Sequence, residues 1–314
     1  MKQLMVKCAV CGKEFESDRK LHAHLKAHKL RMVEYYQKYF PRYDKHDNKI
    51  IKFKNKKQYF STDFNSRENL RNWLKSSDEE TVKNYCEDLL TKRKEEKSLV
   101  YSPTQVELRT LLFPPIQFYH KRFGNYYKLC ESIGYQNRFE NVTKIPEPEE
   151  YDKNEYKIFI DTREQTPLKF DRDFRVRKLK FGDYTFSDRS VSCNSYIERK
   201  SLNDFIGTIS GGFDRFEREI ERAESEDAYL IIVVEKKLSS ALNFNSLREL
   251  SSKIKATPEF IFHRVRQLIQ NNNHIQFLFV DGQDEASRVT EKILTVGCIV
   301  RGVDLQLCYD TKNL

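Results

Sequence analysis

Two short stretches constrain this chain more than any others: Leu230-Ile231-Ile232-Val233-Val234 and Phe277-Leu278-Phe279-Val280 contain no polar residue. Runs this short and this uniformly apolar fit strands of a sheet covered on both faces, where neither side of the pleat meets water. Around them the pattern alternates. Strands are expected at 156–161, 176–180, 184–187, 194–200, 229–235 and 275–280, and helices at 201–208, 213–225, 258–271 and 284–297. Thr257-Pro258 opens the third of these helices, because proline at the first helical position gives up only an N–H that has no intrahelical partner. The expectation is an α/β core over residues 155–314.

That core carries an ordered series of charged residues. Lys157-Ile158-Phe159-Ile160-Asp161 reads as a buried strand that delivers a carboxylate to its end, and Thr162-Arg163-Glu164 follows. Gly182 permits a tight turn that presents Asp183. In Tyr196-Ile197-Glu198-Arg199-Lys200 the faces alternate, so Glu198 and Lys200 point to one side together. Asp204 comes shortly after. Carboxylates and a lysine brought together in this way suit metal-assisted phosphodiester hydrolysis. The acids hold a divalent cation, which polarises the phosphate and lowers the pKa of an attacking water; the lysine supports charge or orients that water.

The same residues carry a resemblance. Asp161-Thr162-Arg163-Glu164, Gly182-Asp183, and Glu198-Arg199-Lys200 with Asp204 are similar to the ordered pattern of the XPF-type nuclease family. Arg215-Phe216-Glu217-Arg218-Glu219 resembles the helix that these nucleases place after the motif. The resemblance covers roughly residues 156–300. It implies a restriction-endonuclease-like mixed sheet flanked by helices, hydrolysis of DNA, and a homodimer formed through this domain. Asp161, Asp183 and Glu198 are the expected ligands of Mg²⁺ or Mn²⁺, with Lys200 beside the attacking water. Glu164 either ligates directly or holds Arg163 and Arg199 in place. The two arginines contact phosphate or brace the carboxylates, as fork-shaped donors do well. Asp204 either orients Lys200 or stabilises the start of the next helix.

Residues 1–30 show a separate spacing. Cys8-x-x-Cys11, then twelve residues, then His24-x-x-x-His28 is zinc-ligand spacing, and Phe15 and Leu21 supply a small apolar core. These positions resemble the two-Cys/two-His zinc finger family, which implies a ββα unit folded by Zn²⁺, metal binding releasing on the order of 10–16 kcal/mol. Fingers of this type read DNA from the helix. Alignment on His24 puts Ser17, Lys20 and Ala23 at the base-facing positions; Lys20 suits guanine, and Arg19 lies next to it. The other reading is a structural or protein-docking finger. The chain has seven cysteines, scattered apart from this pair. That points to thiols and metal sites in a reducing, intracellular compartment rather than to a disulfide framework.

A net charge of +9 suits a polyanionic partner, here DNA. Nothing resembles a signal peptide, and Tyr229 to Val234, the longest apolar run, is too short to span a bilayer. Residues 31–100 read as a basic, mainly helical region. Its lysines interleave with Tyr35, Tyr36, Tyr39, Phe40, Phe53, Tyr59 and Phe60, as a nucleic-acid surface or as the aromatic core of a helical subdomain. Thr81 to Lys97 reads as an amphipathic helix with Val82, Tyr85, Cys86, Leu89 and Leu90 on one face.

Over 101–140, Ser102-Pro103-Thr104 starts a helix, Phe113-Pro114-Pro115 breaks it, and a second helical segment follows. Phe123 to Tyr135 resembles the helix-turn-helix-like repeat appended to homing endonucleases, which implies DNA contacts from Lys121, Arg122 and Lys128; a plain helical hairpin is the other reading. Ile145-Pro146-Glu147-Pro148-Glu149-Glu150 marks a linker within 141–154. XPF-type nucleases that cut branched DNA carry helicase-like or tandem helix-hairpin-helix domains, and with Leu314 following soon after the last core helix none is expected here. The expectation is therefore an endonuclease sent to duplex sites by its N-terminal half, homing-type or otherwise site-directed. The alternative is a structure-selective endonuclease for flaps, forks or junctions. A third class, a DNA-binding protein with a decayed nuclease fold, is disfavoured by the intact acids and lysine.

Overall fold

In the computed structural model, which describes residues 5–53, 58–59, 62–142, 144–146, 157–171, 173–186, 194–247, 250 and 254–314, the chain divides into two units, Met1–Asn84 and Tyr85–Leu314. The acidic half of the expected linker, 147–150, lies outside the described residues. No helix among the described residues is long and apolar enough to cross a membrane.

The first unit begins with a hairpin of β1 (Val6–Lys7) and β2 (Glu14–Phe15), antiparallel, with Val6 opposite Phe15. Helix Asp18–His24 follows, its N-cap Ser17 accepting from the Lys20 N–H, and a 3-10 turn Leu25–His28 completes the segment. Cys8, Leu21 and Leu25 are buried, and the same core continues into helix Met32–Tyr39 through Tyr35 and Tyr36, with Phe53 and Tyr59. The Tyr35 hydroxyl accepts a 2.8 Å hydrogen bond from the Ala9 N–H, in the loop between the two cysteines. These aromatics are therefore core and not a stacking platform. Phe40 and Tyr43 remain exposed. The lysines at 54, 56 and 57 lie outside the described residues.

In the second unit the six strands are β3 (Ile158–Ile160), β4 (Phe174–Val176), β5 (Tyr184–Phe186), β6 (Ser195–Lys200), β7 (Tyr229–Val234) and β8 (Ile275–Phe279). They form one mixed sheet in the order β4-β3-β5-β6-β7-β8. β5 runs antiparallel to both of its neighbours, and the other pairs are parallel. The period of two sorts the side chains. Leu230, Ile232 and Val234 face one core with helices Leu202–Ser210, Phe213–Ser225 and Pro258–Asn271. Tyr229, Ile231 and Val233 face the other, with helix Gln283–Val296. Each fully buried Ile or Val there contributes about 1.5–3 kcal/mol relative to exposure.

One expected strand is displaced. The run expected at 176–180 ends as a strand at Val176, because the following backbone turns to serve the end of β3: the Leu179 N–H donates to Asp161 Oδ2 at 2.6 Å. Cysteine usage also departs from expectation. Cys8, Cys11, Cys86, Cys130 and Cys308 are free thiols, but Cys298 is disulfide-bonded.

Residues 101–140 belong to this second unit. Thr104 caps helix Gln105–Thr110 in a capping box with Glu107, and helices Ile116–Phe123 and Tyr126–Ser132 follow, separated at Gly124. They pack on the α/β core through a polar seam. The Gln105 N–H donates to Asp304 Oδ2 and its side-chain amide to Asp310, both at 2.7 Å; its carbonyl accepts from the Ile116 N–H at 2.9 Å. Arg109 pairs with Asp310 at 2.8 Å, and Gln270 donates to both Glu107 oxygens at 3.1 Å. Burial raises the pKa of Glu107 and pushes Asp304 up to about 6. Removing the Gln105 side chain strands the Ile116 N–H in the interior, at about 1–3 kcal/mol for the orphaned donor. Gln105→Ala should therefore lower the melting temperature of the unit Tyr85–Leu314 by about 2–4 °C per kcal/mol, read by calorimetry; unchanged melting would mean that the seam holds nothing together.

Candidate active site and metal centre

One end of the sheet collects the charged residues. β3 and β6 point their C-terminal ends there, and antiparallel β5 brings its N-terminal end to the same place. Gly182 makes the approach possible. Its φ is +56°, and a Cβ there would sit 2.7 Å from the Ile197 carbonyl oxygen, so any side chain would push the turn off β6. The turn is pinned by Asp183 N–H to the Ile197 carbonyl at 2.7 Å and by Asp161 N–H to the Asp183 carbonyl at 2.8 Å.

Asp183 and Glu198 form the electrostatic centre. Burial pushes the Asp183 carboxyl up to about 7, Glu198 and Glu164 add repulsion, and the Arg199 N–H on Asp183 Oδ2 at 2.8 Å, with Lys200, only partly opposes this. The Lys200 ammonium lies 2.8 Å from Glu198 Oε1, on the face that strand alternation assigns to both, and rests 5.5 Å from the centre of the Phe216 ring.

The remaining residues divide by their partners. Asp161 is buried. Burial alone would raise its pKa, but Arg163, through its side chain and N–H on Oδ1, and the Leu179 N–H on Oδ2 hold it below the usual range. Oδ1 takes both Arg163 donors, whereas Oδ2 takes the Leu179 N–H alone and keeps a second lone pair. Arg163 is 66% exposed. Glu164 accepts two hydrogen bonds from the Arg199 guanidinium, at 3.1 and 3.2 Å, and a third from the Tyr184 hydroxyl at 3.2 Å. Of the two arginines it was expected to hold, Glu164 engages Arg199, and Arg163 pairs with Asp161 instead. Arg199 also donates to Glu235 at 2.9 Å. Burial works against its charge, and Glu235 and Glu164 together raise its pKa above the ordinary arginine value. Asp204 accepts from the Ser201 hydroxyl at 2.7 Å in the first turn of helix Leu202–Ser210.

Two acids of this site are absent from the sequence-derived set. Glu235 directly follows the apolar run of β7, in the same strand-end position as Asp161 after Ile160, so the same signal identifies it. Glu219 lies between Phe216 and Ile220 on the inward stripe of helix Phe213–Ser225. Burial first, then Glu198, raises its pKa.

In the first unit, Cys8, Cys11, His24 and His28 converge. Each offers one ligand atom, and these atoms lie within 4.8 Å of one another. Cys11 Sγ is 3.2 Å from His24 Nε2, and Cys8 Sγ is 3.7 Å from His28 Nε2. Two thiols and two imidazoles at these separations fit a tetrahedral Zn²⁺. Among the described residues this is the one group of three or more such side chains whose ligand atoms meet; Asp161, Asp183 and Glu198 do not form a second. Asp183 and Glu198 still fit a hard cation, as an acid pair whose mutual repulsion a divalent ion would relieve. Arg19 and Lys20 are exposed, and Lys20 pairs with Glu16. Lys121 and Lys128 are exposed on successive helices of the 101–140 segment, and Arg122 is half-buried.

A mixed sheet flanked by helices, with acids and a lysine at one end, is the architecture of a nuclease-type α/β domain. Residues 160–293 match the ERCC4 domain, so the chain carries an XPF-type nuclease domain over that stretch. Two solved structures of XPF from Aeropyrum pernix, one in complex with DNA, each align over 44% of this chain at 18% identity and a TM-score of 0.34. The aligned part spans 62% of one of those chains and 59% of the other, about three fifths of their length. No curated protein matches.

Two outcomes test the geometry. Arg199→Met strips Glu164 and Glu235 of their shared cation and should destabilise the chain by about 3–5 kcal/mol, the cost of a broken buried pair; a smaller loss in urea denaturation would mean that the acids find other partners. For Asp183 the folded pKa lies above the unfolded one, so the folded state holds the extra proton and stability falls as pH rises from about 4 through about 7. Without added divalent cation, the melting temperature should drop across that window, and Asp183→Asn should flatten the drop. An equal drop in the variant would assign it elsewhere.

Proposed function

We propose that this chain is a metal-dependent DNA endonuclease that hydrolyses phosphodiester bonds at the sheet end bearing Asp183, Glu198 and Lys200. The observation that carries this reading is the crowding of Asp183 by Glu198 in a buried setting, which leaves an excess of negative charge that a divalent cation would neutralise. The ERCC4 domain match over the same residues supports the class of reaction. Mg²⁺ or Mn²⁺ bound there would supply Lewis-acid polarisation of the phosphate and a water of lowered pKa. The chain's own residues have distinct tasks. Asp183 and Glu198 offer carboxylate oxygens, and Lys200 holds Glu198 and stands ready to orient a water or steady developing charge. Asp161 fixes Arg163 at the rim, where its exposed guanidinium faces incoming phosphate. Arg199 and Glu164 keep the strands in register.

Zn²⁺ on Cys8, Cys11, His24 and His28 would be structural. The hairpin-and-helix arrangement around that cluster favours duplex targeting by the N-terminal half, with Lys20 and Arg19 toward DNA, in a homing-type or other site-directed nuclease. The ERCC4 match favours the second reading, a structure-selective enzyme acting on flaps, forks or junctions. A homodimer through the nuclease domain is compatible with both.

Cleavage of random plasmid libraries beside synthetic flaps, forks and junctions, with Mg²⁺ and Mn²⁺ compared, separates the two readings. Ends clustered at one sequence support site targeting, and cuts that track branches support the second. In either case Asp183→Asn and Glu198→Gln should each lower cleavage on the order of a thousandfold with DNA affinity close to wild type. Undiminished nicking by both variants would sink the assignment. Cys8→Ser should weaken binding and site preference while metal-dependent nicking survives at low salt, as backbone-only contacts allow.

A further inference from the structure

The sheet has one edge unlike the rest of its rim. Among the described residues β4 is the terminal strand, bonded on one side only, and Phe174, Arg175 and Val176 are all exposed. The chain continues as Arg177, Lys178, Leu179 and Lys180, so Arg175 to Lys180 holds four cations and no acid. The segment is held in place. The Arg177 N–H continues the ladder to the Ile160 carbonyl at 2.9 Å, the Arg177 guanidinium lies 3.6 Å from the centre of the Phe159 ring, and the Leu179 N–H grips Asp161. Because β4 is parallel to β3, this basic run emerges at the same sheet end as Asp161, Asp183 and Lys200. Lys180 pairs with Glu226, whereas Arg175 and Lys178 meet no carboxylate among the described residues.

Resting on the nuclease reading, we propose that this edge is the track for the nucleic-acid backbone that enters the active site, with Arg175, Arg177 and Lys178 taking phosphates of the strand to be cut. Arg175 and Arg177 project to one side of the extended segment, about 6.6 Å apart, and so can hold separate phosphates. Phe159 stiffens Arg177 by stacking without neutralising it. A second copy of the chain is a poor occupant. A three-residue edge buries far less than the ~800 Å² per partner of a stable interface. A two-fold antiparallel pairing centred on the strand would also set Arg175 against its own counterpart.

The test is the salt dependence of duplex binding by the full chain, followed by fluorescence anisotropy without added Mg²⁺, for wild type, a combined Arg175→Ala, Arg177→Ala, Lys178→Ala variant, and a combined Arg175→Lys, Arg177→Lys variant. The alanine variant should bind roughly tenfold or more weakly, and its plot of log affinity against log salt should flatten by about 2–3, close to one unit for each phosphate that is no longer held. The lysine variant should keep the wild-type slope. Lys178→Glu alone, on an exposed side chain, should weaken binding severalfold and guards against misfolding of the triple change. Wild-type affinity and slope in the alanine variant and in Lys178→Glu would overturn the proposal, as would a change confined to self-association in sedimentation. Cleavage with Mg²⁺ or Mn²⁺ is scored separately. A wild-type protein that binds through this edge and cuts nothing would overturn the nuclease reading and leave the track in place.

Discussion

Arg199 is the residue on which the candidate site depends. Its guanidinium joins Glu164, beyond the end of β3, to Glu235, at the end of β7, while its own N–H holds Asp183 at the head of β5. One side chain and its amide thus tie four strands at the end where the acids gather. Lysine could not do this, since a single ammonium lacks the planar fork that reaches two carboxylates at once. Such a buried triad is not a generous source of stability, because three charges must leave water. What it gives is position. Asp183 and Glu198 repel, and without a rigid frame they would part; Arg199 keeps Asp183 close to β6 despite that repulsion.

The surrounding charges then separate into those committed to structure and those left over. Asp161, Glu164, Glu235 and Asp204 are each satisfied by a donor from the chain itself. Glu198 is held by the Lys200 ammonium, whereas Asp183 and Glu219 are under-compensated, and burial converts that shortage into raised proton affinity at both. The same six-residue strand, β6, carries a framing arginine on one face and the Glu198–Lys200 pair on the other.

Much of this was legible in the sequence. The apolar runs at 230–234 and 277–280 fix a doubly covered sheet, and their positions in β7 and β8 agree with it. Period-two alternation puts Glu198 with Lys200, and Gly182 presents Asp183 as a tight turn demands. What was not legible was partnership. Nothing local in Asp-Thr-Arg-Glu says that Leu179, far along the chain, closes over Asp161, and this long-range bond shortens the expected strand at 176–180. Glu235 carries a legible signal, its place at the end of the apolar run of β7, whereas Glu219 looks like an ordinary surface acid until the fold turns its helix inward. The aromatics at 35, 36, 53 and 59 could equally have stacked on bases, and only packing assigns them to a core. For the 101–140 segment the sequence left a DNA-binding repeat and a plain helical hairpin both open, and nothing local announces that Gln105, Glu107 and Arg109 pack it on the α/β core.

The seam sets an order of assembly. Its bonds from Gln105 and Arg109 to Asp304 and Asp310 close loops of about two hundred residues, among the longest separations in the chain. During synthesis the helices of 101–140 leave the ribosome long before their partners exist, while the strands bearing Asp161, Asp183 and Glu198 emerge in between. Those helices must wait with one face uncovered, and loop closure of this length slows the final docking. The strands that bear the acids need no such distant partner to pair, whereas the seam closes only with residues 304–310 in place.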